Sequence, residues 1–140
     1  MKVIVSACLL GRRCKYDGGH NKNSAVLRFL EGKEVLPVCP ESLVMPPPRP
    51  PAEIREGRVI TKTGEDRTAL FTEGVRRTLA LIEGEKPDLA VLKARSPTCG
   101  AKEIYDGTFT GARIPGADLL AAALLARGIP VIDEEELEKK

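Results

Sequence analysis

The chain of 140 residues has no tryptophan, only two tyrosines and three phenylalanines, and a single histidine. So few rings leave little to stack on single-stranded nucleic acid. Its 22 basic and 20 acidic side chains nearly cancel, for a formal net charge of +2. No field of one sign therefore argues for nucleic acid or a membrane surface as the main partner. No apolar run approaches the roughly 20 residues of a membrane span. Met1-Lys2-Val3-Ile4-Val5-Ser6 is too short and too soon polar to be a secretory leader, and reads as a first strand. The expectation is a cytoplasmic protein. Close cysteine pairs are also missing, which excludes zinc-finger and ferredoxin-type spacing.

Four cysteines are nevertheless present, with five, twenty-four and fifty-nine residues between them. A chain of this length builds a core without a covalent staple. In a reducing compartment such thiols are ligands, nucleophiles or buried small residues rather than disulfides. Three of them are placed alike. Cys8 follows Val3-Ile4-Val5-Ser6-Ala7, Cys39 follows Glu34-Val35-Leu36-Pro37-Val38, and Cys99 stands shortly after Leu89-Ala90-Val91-Leu92. Each apolar run reads as a buried strand. In open α/β sheets ligands bind at the carboxyl ends of the strands. If these strands are parallel neighbours, the three sulfurs meet on one edge.

The intervening chain supports that topology. Asn23 or Ser24 caps a short helix ending at Gly32. Asp17-Gly18-Gly19 is a turn. Pro40 to Pro51 is proline-rich, and the expectation is neither helix nor central strand but a stiff wall beside Cys39. Ile54 to Thr61 reads as a hairpin turning at Glu56-Gly57. Asp66 to Glu83 is a helix with Leu70, Phe71, Val75, Leu79 and Ile82 on one stripe. Tyr105 to Gly111 is a glycine-punctuated loop. Asp118 to Arg127 is apolar nearly all round and reads as a largely buried helix. Val131-Ile132 is a fourth strand, and Asp133 to Lys140 a charged terminal turn. Together they predict one compact three-layer α/β domain over residues 1–140. Its parallel sheet has about four strands (Rossmann-like), with helices on both faces and a small hairpin.

Thiolates are soft ligands for zinc, copper(I) or iron–sulfur clusters. Three ligands with a fourth position open to substrate make a catalytic arrangement. The bland alternative is that the cysteines are inert small residues. Polar groups gather at the same strand ends. Glu41 lies two residues beyond Cys39 and reads as a general acid or base, or as a helix cap. Lys93 and Arg95 read as an anion-binding pair or as solvated surface. Ser96 stands three residues before Cys99. His20, in a polar loop, reads as structural or exposed rather than catalytic.

These residues bear a family resemblance. Ser6-Ala7-Cys8-Leu9-Leu10-Gly11, Cys14-Lys15-Tyr16-Asp17-Gly18, Val38-Cys39-Pro40-Glu41, Pro48-Arg49-Pro50-Pro51-Ala52-Glu53, Leu92-Lys93-Ala94-Arg95-Ser96-Pro97-Thr98-Cys99-Gly100 and Ile104-Tyr105-Asp106-Gly107-Thr108-Phe109 resemble the TudS-type thiouracil desulfidase family. The resemblance implies a 4Fe-4S cluster held by Cys8, Cys39 and Cys99. Its free iron abstracts sulfur from a thiolated uracil, giving uracil and hydrogen sulfide without net redox change. It implies Glu41 as the acid/base residue and Ser96 as orienting substrate or water. Asp17 and Lys93 follow as weaker substrate-binding candidates. The resemblance leaves Cys14 without a role; it reads as a structural thiol in preference to a substitute ligand or a sulfur-handling residue. The partner would be a small thiolated pyrimidine, met by a monomer or weak homodimer. One departure stands out. Relatives commonly carry a glycine-containing turn after Cys-Pro-Glu, whereas Ser42-Leu43-Val44-Met45 follows here, which reshapes the expected pocket. The competing readings are a zinc-binding or non-catalytic α/β module and a cluster-free cysteine sulfur-transfer protein.

Overall fold

Val3, Ile4 and Val5 have no exposed surface, and such a β-branched run suits a strand flanked on both sides. It forms the centre of β1 (Lys2–Ser6). The computed structural model describes residues 1–13, 17–45, 48–55, 58–94, 103–105, 109–110, 112–115 and 119–138. After β1 come a 3-10 turn (Ala7–Leu10), α1 (Ser24–Leu30), β2 (Glu34–Val38), α2 (Pro40–Val44), β3 (Ala52–Arg55) and β4 (Arg58–Thr61). Then follow α3 (Thr68–Ile82), β5 (Leu89–Leu92), β6 (Glu103–Tyr105), β7 (Arg113–Pro115), α4 (Leu119–Ala126), β8 (Val131–Asp133) and α5 (Glu134–Glu138).

The main sheet has the order β2-β1-β5-β8, and all three of its pairings are parallel. β2 lies at an edge, where Pro37 costs no ladder bond on the open side. Alternate side chains feed two cores. Ile4, Ala90 and Leu92 pack with Val75 and Ile82 of α3 and with Leu120 and Leu124 of α4. Val3, Val5 and Val91 pack on the other face with Val26 and Leu30 of α1 and Leu137 of α5. Each fully buried aliphatic side chain is worth roughly 1.5–3 kcal/mol, so the doubly covered strand β1 anchors both layers. The α/β architecture with a four-stranded parallel sheet and helices on both faces is the expected one. α1 begins as read, with Asn23 Oδ1 accepting the Val26 N–H at 3.1 Å.

Four local readings differ from the structure. Pro40 does not bar a helix, because a proline at the first helical position has no hydrogen bond to lose, and α2 starts there. The charged terminus is helical, since Leu137 and Glu134 are both buried and dock α5 on the sheet. α4 is buried on one face only, with Leu125 46% exposed. The stretch after Cys99 contributes a second antiparallel pair, β6 with β7, and Tyr105 ends a strand; residues 106–108 and 111 of the expected loop lie outside the described residues. The expected hairpin is present as β3 with β4, in which Arg55 pairs with Arg58. Its Glu56-Gly57 turn lies outside the described residues. Among the described residues no helix is long and apolar enough to cross a membrane.

The entrance to α3 is electrostatically set. Asp66 Oδ2 accepts from Arg58 Nε at 2.7 Å, and Oδ1 accepts the Thr68 N–H at 2.9 Å. The Arg58 hydrogen bond first, and the Thr68 bond next, hold the Asp66 carboxyl at about 2, below its ordinary 3.8. A depressed carboxyl favours the folded state above its unfolded value, and that contribution fades as pH falls through the folded value. The Asp66→Asn variant is therefore expected to melt below the wild type near neutral pH. The gap should close between about pH 4 and about pH 2, as read by circular dichroism melts across pH.

Candidate active site at the strand ends

The pairing registers put three chain exits side by side. Ser6 pairs with Val38 across β1 and β2, and Val5 pairs with Val91 across β1 and β5. Ala7-Cys8, Cys39 and Lys93 thus leave the sheet at nearly the same level on adjacent strands. Cys8 sits in the 3-10 turn between buried Ala7 and buried Leu9. Its carbonyl accepts the Gly11 N–H at 3.2 Å and the Asn21 N–H at 2.9 Å. Gly11 permits this closure by taking φ +99°, a left-handed conformation. Neither Cys8 nor Cys39 is in a disulfide, and both are partly exposed. Such thiols suit soft-metal ligation better than they suit a core.

Cys39 occupies the cap position of α2, in extended backbone with φ −150°. Its Sγ lies 3.3 Å from Ser42 Oγ. The Cys39 thiol donates to that hydroxyl oxygen, and the hydroxyl can donate in return to a thiolate. The segment that departs from the glycine-containing turn is thus the body of α2, and it places a hydroxyl on Cys39. Glu41 is in the first turn of α2. Arg49 Nε approaches Glu41 Oε1 at 3.7 Å, with the arginine side chain 3% exposed and the glutamate 15%. Arg49 Nη1 also donates to the Met45 carbonyl at 3.1 Å. The proline-rich wall therefore carries a buried cation back to the carboxylate beside Cys39. Farther along, Glu53 Oε1 accepts the Phe109 N–H at 3.2 Å.

On β5 the Lys93 N–H donates to Ser6 Oγ at 2.9 Å. Its ammonium lies 3.0 Å from Glu134 Oε2 and donates to the Ala94 carbonyl at 3.0 Å. The Ala94 N–H donates to Glu134 Oε1 at 2.7 Å. Asp17 Oδ1 accepts the Gly19 N–H at 2.8 Å in an exposed turn. His20 is exposed, and its Nδ1 accepts the Lys22 N–H at 3.1 Å, the structural role expected of it. The structure thus gathers Cys8, Cys39, Glu41 and Lys93 at one sheet edge. Ser96, Cys99 and Cys14 lie outside the described residues. Among the described residues no three metal-ligating side chains form a group, and two of the three expected cysteine ligands are among them.

Three residues that build the site were not singled out as site residues in the sequence. Gly74 lies inside α3, where a Cβ would stand 2.2 Å from the Pro40 carbonyl oxygen. A glycine inside a strongly amphipathic helix is the signal for such a close approach. Arg49, amid prolines, signals a cation fixed by stiff backbone. Glu134 had no signal, because it sits in an acidic run that reads as solvated.

Comparison with known proteins places this geometry. A family model described as 2-thiouracil desulfurase matches residues 3–136. The Bacillus subtilis (strain 168) protein YbbK is 38% identical over 146 residues, spanning 96% of this chain and 97% of its own. The solved structure of a 4Fe-4S-dependent thiouracil desulfidase, TudS, is similar with a TM-score of 0.88 and 41% identity. The match covers 99% of this chain and 93% of that one.

Gly74 gives the packing a test whose sign is informative. Helix propensity alone makes Gly→Ala stabilising by about 1 kcal/mol. The clash here is with backbone, so Gly74→Ala is expected to destabilise instead, by roughly 1–3 kcal/mol in denaturant unfolding. A stabilised variant would mean that α2 does not rest on α3 as described.

Proposed function

The chain belongs to the 2-thiouracil desulfurase family, and from that premise we propose that it removes sulfur from a thiolated uracil with a 4Fe-4S cluster held by Cys8, Cys39 and Cys99. The observation that carries the reading is the arrival of Cys8 and Cys39 at neighbouring parallel strand ends, with the β5 exit toward Cys99 beside them. The donor chemistry fits, because thiolates are the ligands of such clusters. When bound, the cluster held by these cysteines would supply Lewis-acid chemistry toward the sulfur of the substrate.

The protein's own residues do the rest. The reaction exchanges a C=S bond for a C=O bond. Water supplies the oxygen, and its two hydrogens leave with sulfur as hydrogen sulfide, so no oxidant or reductant is consumed. Glu41, on the first turn beside Cys39, takes a proton from the incoming water and returns it to the departing sulfur. Arg49 and the rigid α2 hold that carboxylate in place. Ser96 orients substrate or water. Asp17 and Lys93 are supporting contacts to the pyrimidine. Lys93 is itself held by Glu134, which leaves its backbone and stem, more than a free ammonium, to shape the rim. Residues 1–140 act as one domain, as a monomer or weak homodimer in the cytoplasm. The substrate is a small molecule rather than a nucleic acid or membrane, in keeping with the balanced charge.

Anaerobic reconstitution tests this directly. The wild type is expected to be brown, to carry about four irons per chain and to release sulfide from 2- or 4-thiouracil. Cys99→Ala is expected to lose both cluster and activity. Glu41→Gln should keep the iron while kcat falls by about 10²- to 10⁴-fold. A colourless protein with stoichiometric zinc would support the zinc module instead. Full activity in Glu41→Gln would remove the acid/base role.

A further inference from the structure

Glu41 and Ser42 are consecutive residues of α2, and the chemistry above uses only the first. Ser42 lies three residues after Cys39, a spacing that makes neighbours on a helix. Its hydroxyl oxygen stands 3.3 Å from Cys39 Sγ in a half-buried contact. The backbone around that contact is fixed from three directions. The Met45 N–H donates to the Glu41 carbonyl at 2.8 Å. Arg77 Nη1 donates to the Leu43 carbonyl at 3.3 Å. The Pro40 carbonyl oxygen lies so close to α3 that a Cβ on Gly74 would come within 2.2 Å of it. Ser42 sits among these anchors, and its side chain has only χ1 and the O–H rotor left to turn.

We propose that Ser42 tunes the metal centre through Cys39: its hydroxyl donates to the ligating sulfur and draws electron density away from the iron. The proposal rests on the cluster reading above. A free thiol has a proton to give, and Cys39 gives it to the serine oxygen. A ligating sulfur has lost that proton and only accepts. The serine hydroxyl is donor and acceptor at once, and its hydrogen rotates to suit. Metal binding therefore reverses the direction of this bond by turning one O–H. A hydrogen bond to an ionised partner is about twice as strong as a neutral one, so the contact strengthens on loading. Hydrogen bonds to the sulfurs help to set the reduction potential of an iron–sulfur cluster. Donation favours the electron-rich state over the electron-poor one, which raises that potential. The overall reaction consumes no electrons, so the gain for the chemistry is a more Lewis-acidic iron rather than electron transfer. Ser42 acts through the ligand, while Glu41 on the same helix acts on the substrate.

The test is a reduction potential, read without turnover. Wild type, Ser42→Ala and Ser42→Thr are reconstituted anaerobically and poised electrochemically over the range of such clusters. The reduced form is followed by electron paramagnetic resonance, beside a thermal melt of each chain. Alanine suits a helix better than serine does, so Ser42→Ala is expected to keep a cooperative melt. At the wild-type midpoint, Ser42→Ala is expected to hold on the order of ten oxidised centres for each reduced one. For a one-electron couple that ratio is a midpoint about 59 mV lower. Ser42→Thr keeps the hydroxyl and should titrate with the wild type. An unshifted or raised midpoint in Ser42→Ala would overturn the proposal. So would a Ser42→Thr chain that shifts as far as Ser42→Ala, since the shift would then follow the packing of α2 and not the hydroxyl. A Ser42→Ala chain that loses its cooperative melt would overturn it too, by making the serine a matter of fold stability. A wild type that takes up no iron would instead overturn the cluster reading, and the proposal with it.

Discussion

Parallel hydrogen bonding of β1 to β2 on one side and to β5 on the other is the constraint on which the site depends. Parallel neighbours require crossover connections, so every strand end that faces one way comes from a different part of the chain. Residues far apart in sequence are thereby delivered to one edge. β1 satisfies this because Val3, Ile4 and Val5 are buried on both faces. A register slip of one residue would exchange the faces of every side chain and misplace Cys8 against Cys39. The hydrophobic pattern of the strands and the relative level of the thiols are thus the same fact seen twice.

The sheet edge becomes a site through the short helices set against it. α2 is too short to be stable alone. It holds because Gly74 lets the Pro40 carbonyl come against α3, and because Arg77 Nη1 donates to the Leu43 carbonyl at its far end. That contact gives Cys39 a fixed backbone and Glu41 a fixed root. α5 does the corresponding work on the other side. Leu137 anchors it in one core, and Asn23 Nδ2 donates to Glu138 Oε1 at 2.6 Å across to α1. Glu134 then reaches the β5 exit. The two exits beside β1 are therefore governed by packing at some remove from the thiols.

Much of this was legible in the sequence. The four parallel strands, α1 and α3 follow from apolar periodicity and caps, and Leu89–Leu92 is found at the bounds read from it. The convergence of Cys8 and Cys39 follows from strand order alone. α2 was obscured because proline argues against helix everywhere except at the first position, where Pro40 stands. α5 was obscured because its charges describe its exposed face, while a single leucine and one carboxylate decide its docking. Gly74, Arg49 and Glu134 matter through contacts between distant segments, which no local pattern encodes. The family resemblance added the identity of the cluster and the substrate, and neither spacing nor burial could supply these.

The central claim is that three cysteines from three strand exits hold a cluster with one iron left for substrate. Mössbauer spectroscopy of iron-57-reconstituted protein tests it most directly, with and without thiouracil under anaerobic conditions. The account predicts that one iron site of the four changes its parameters when thiouracil is added while the other three keep theirs. Four irons unaffected by saturating thiouracil would contradict it.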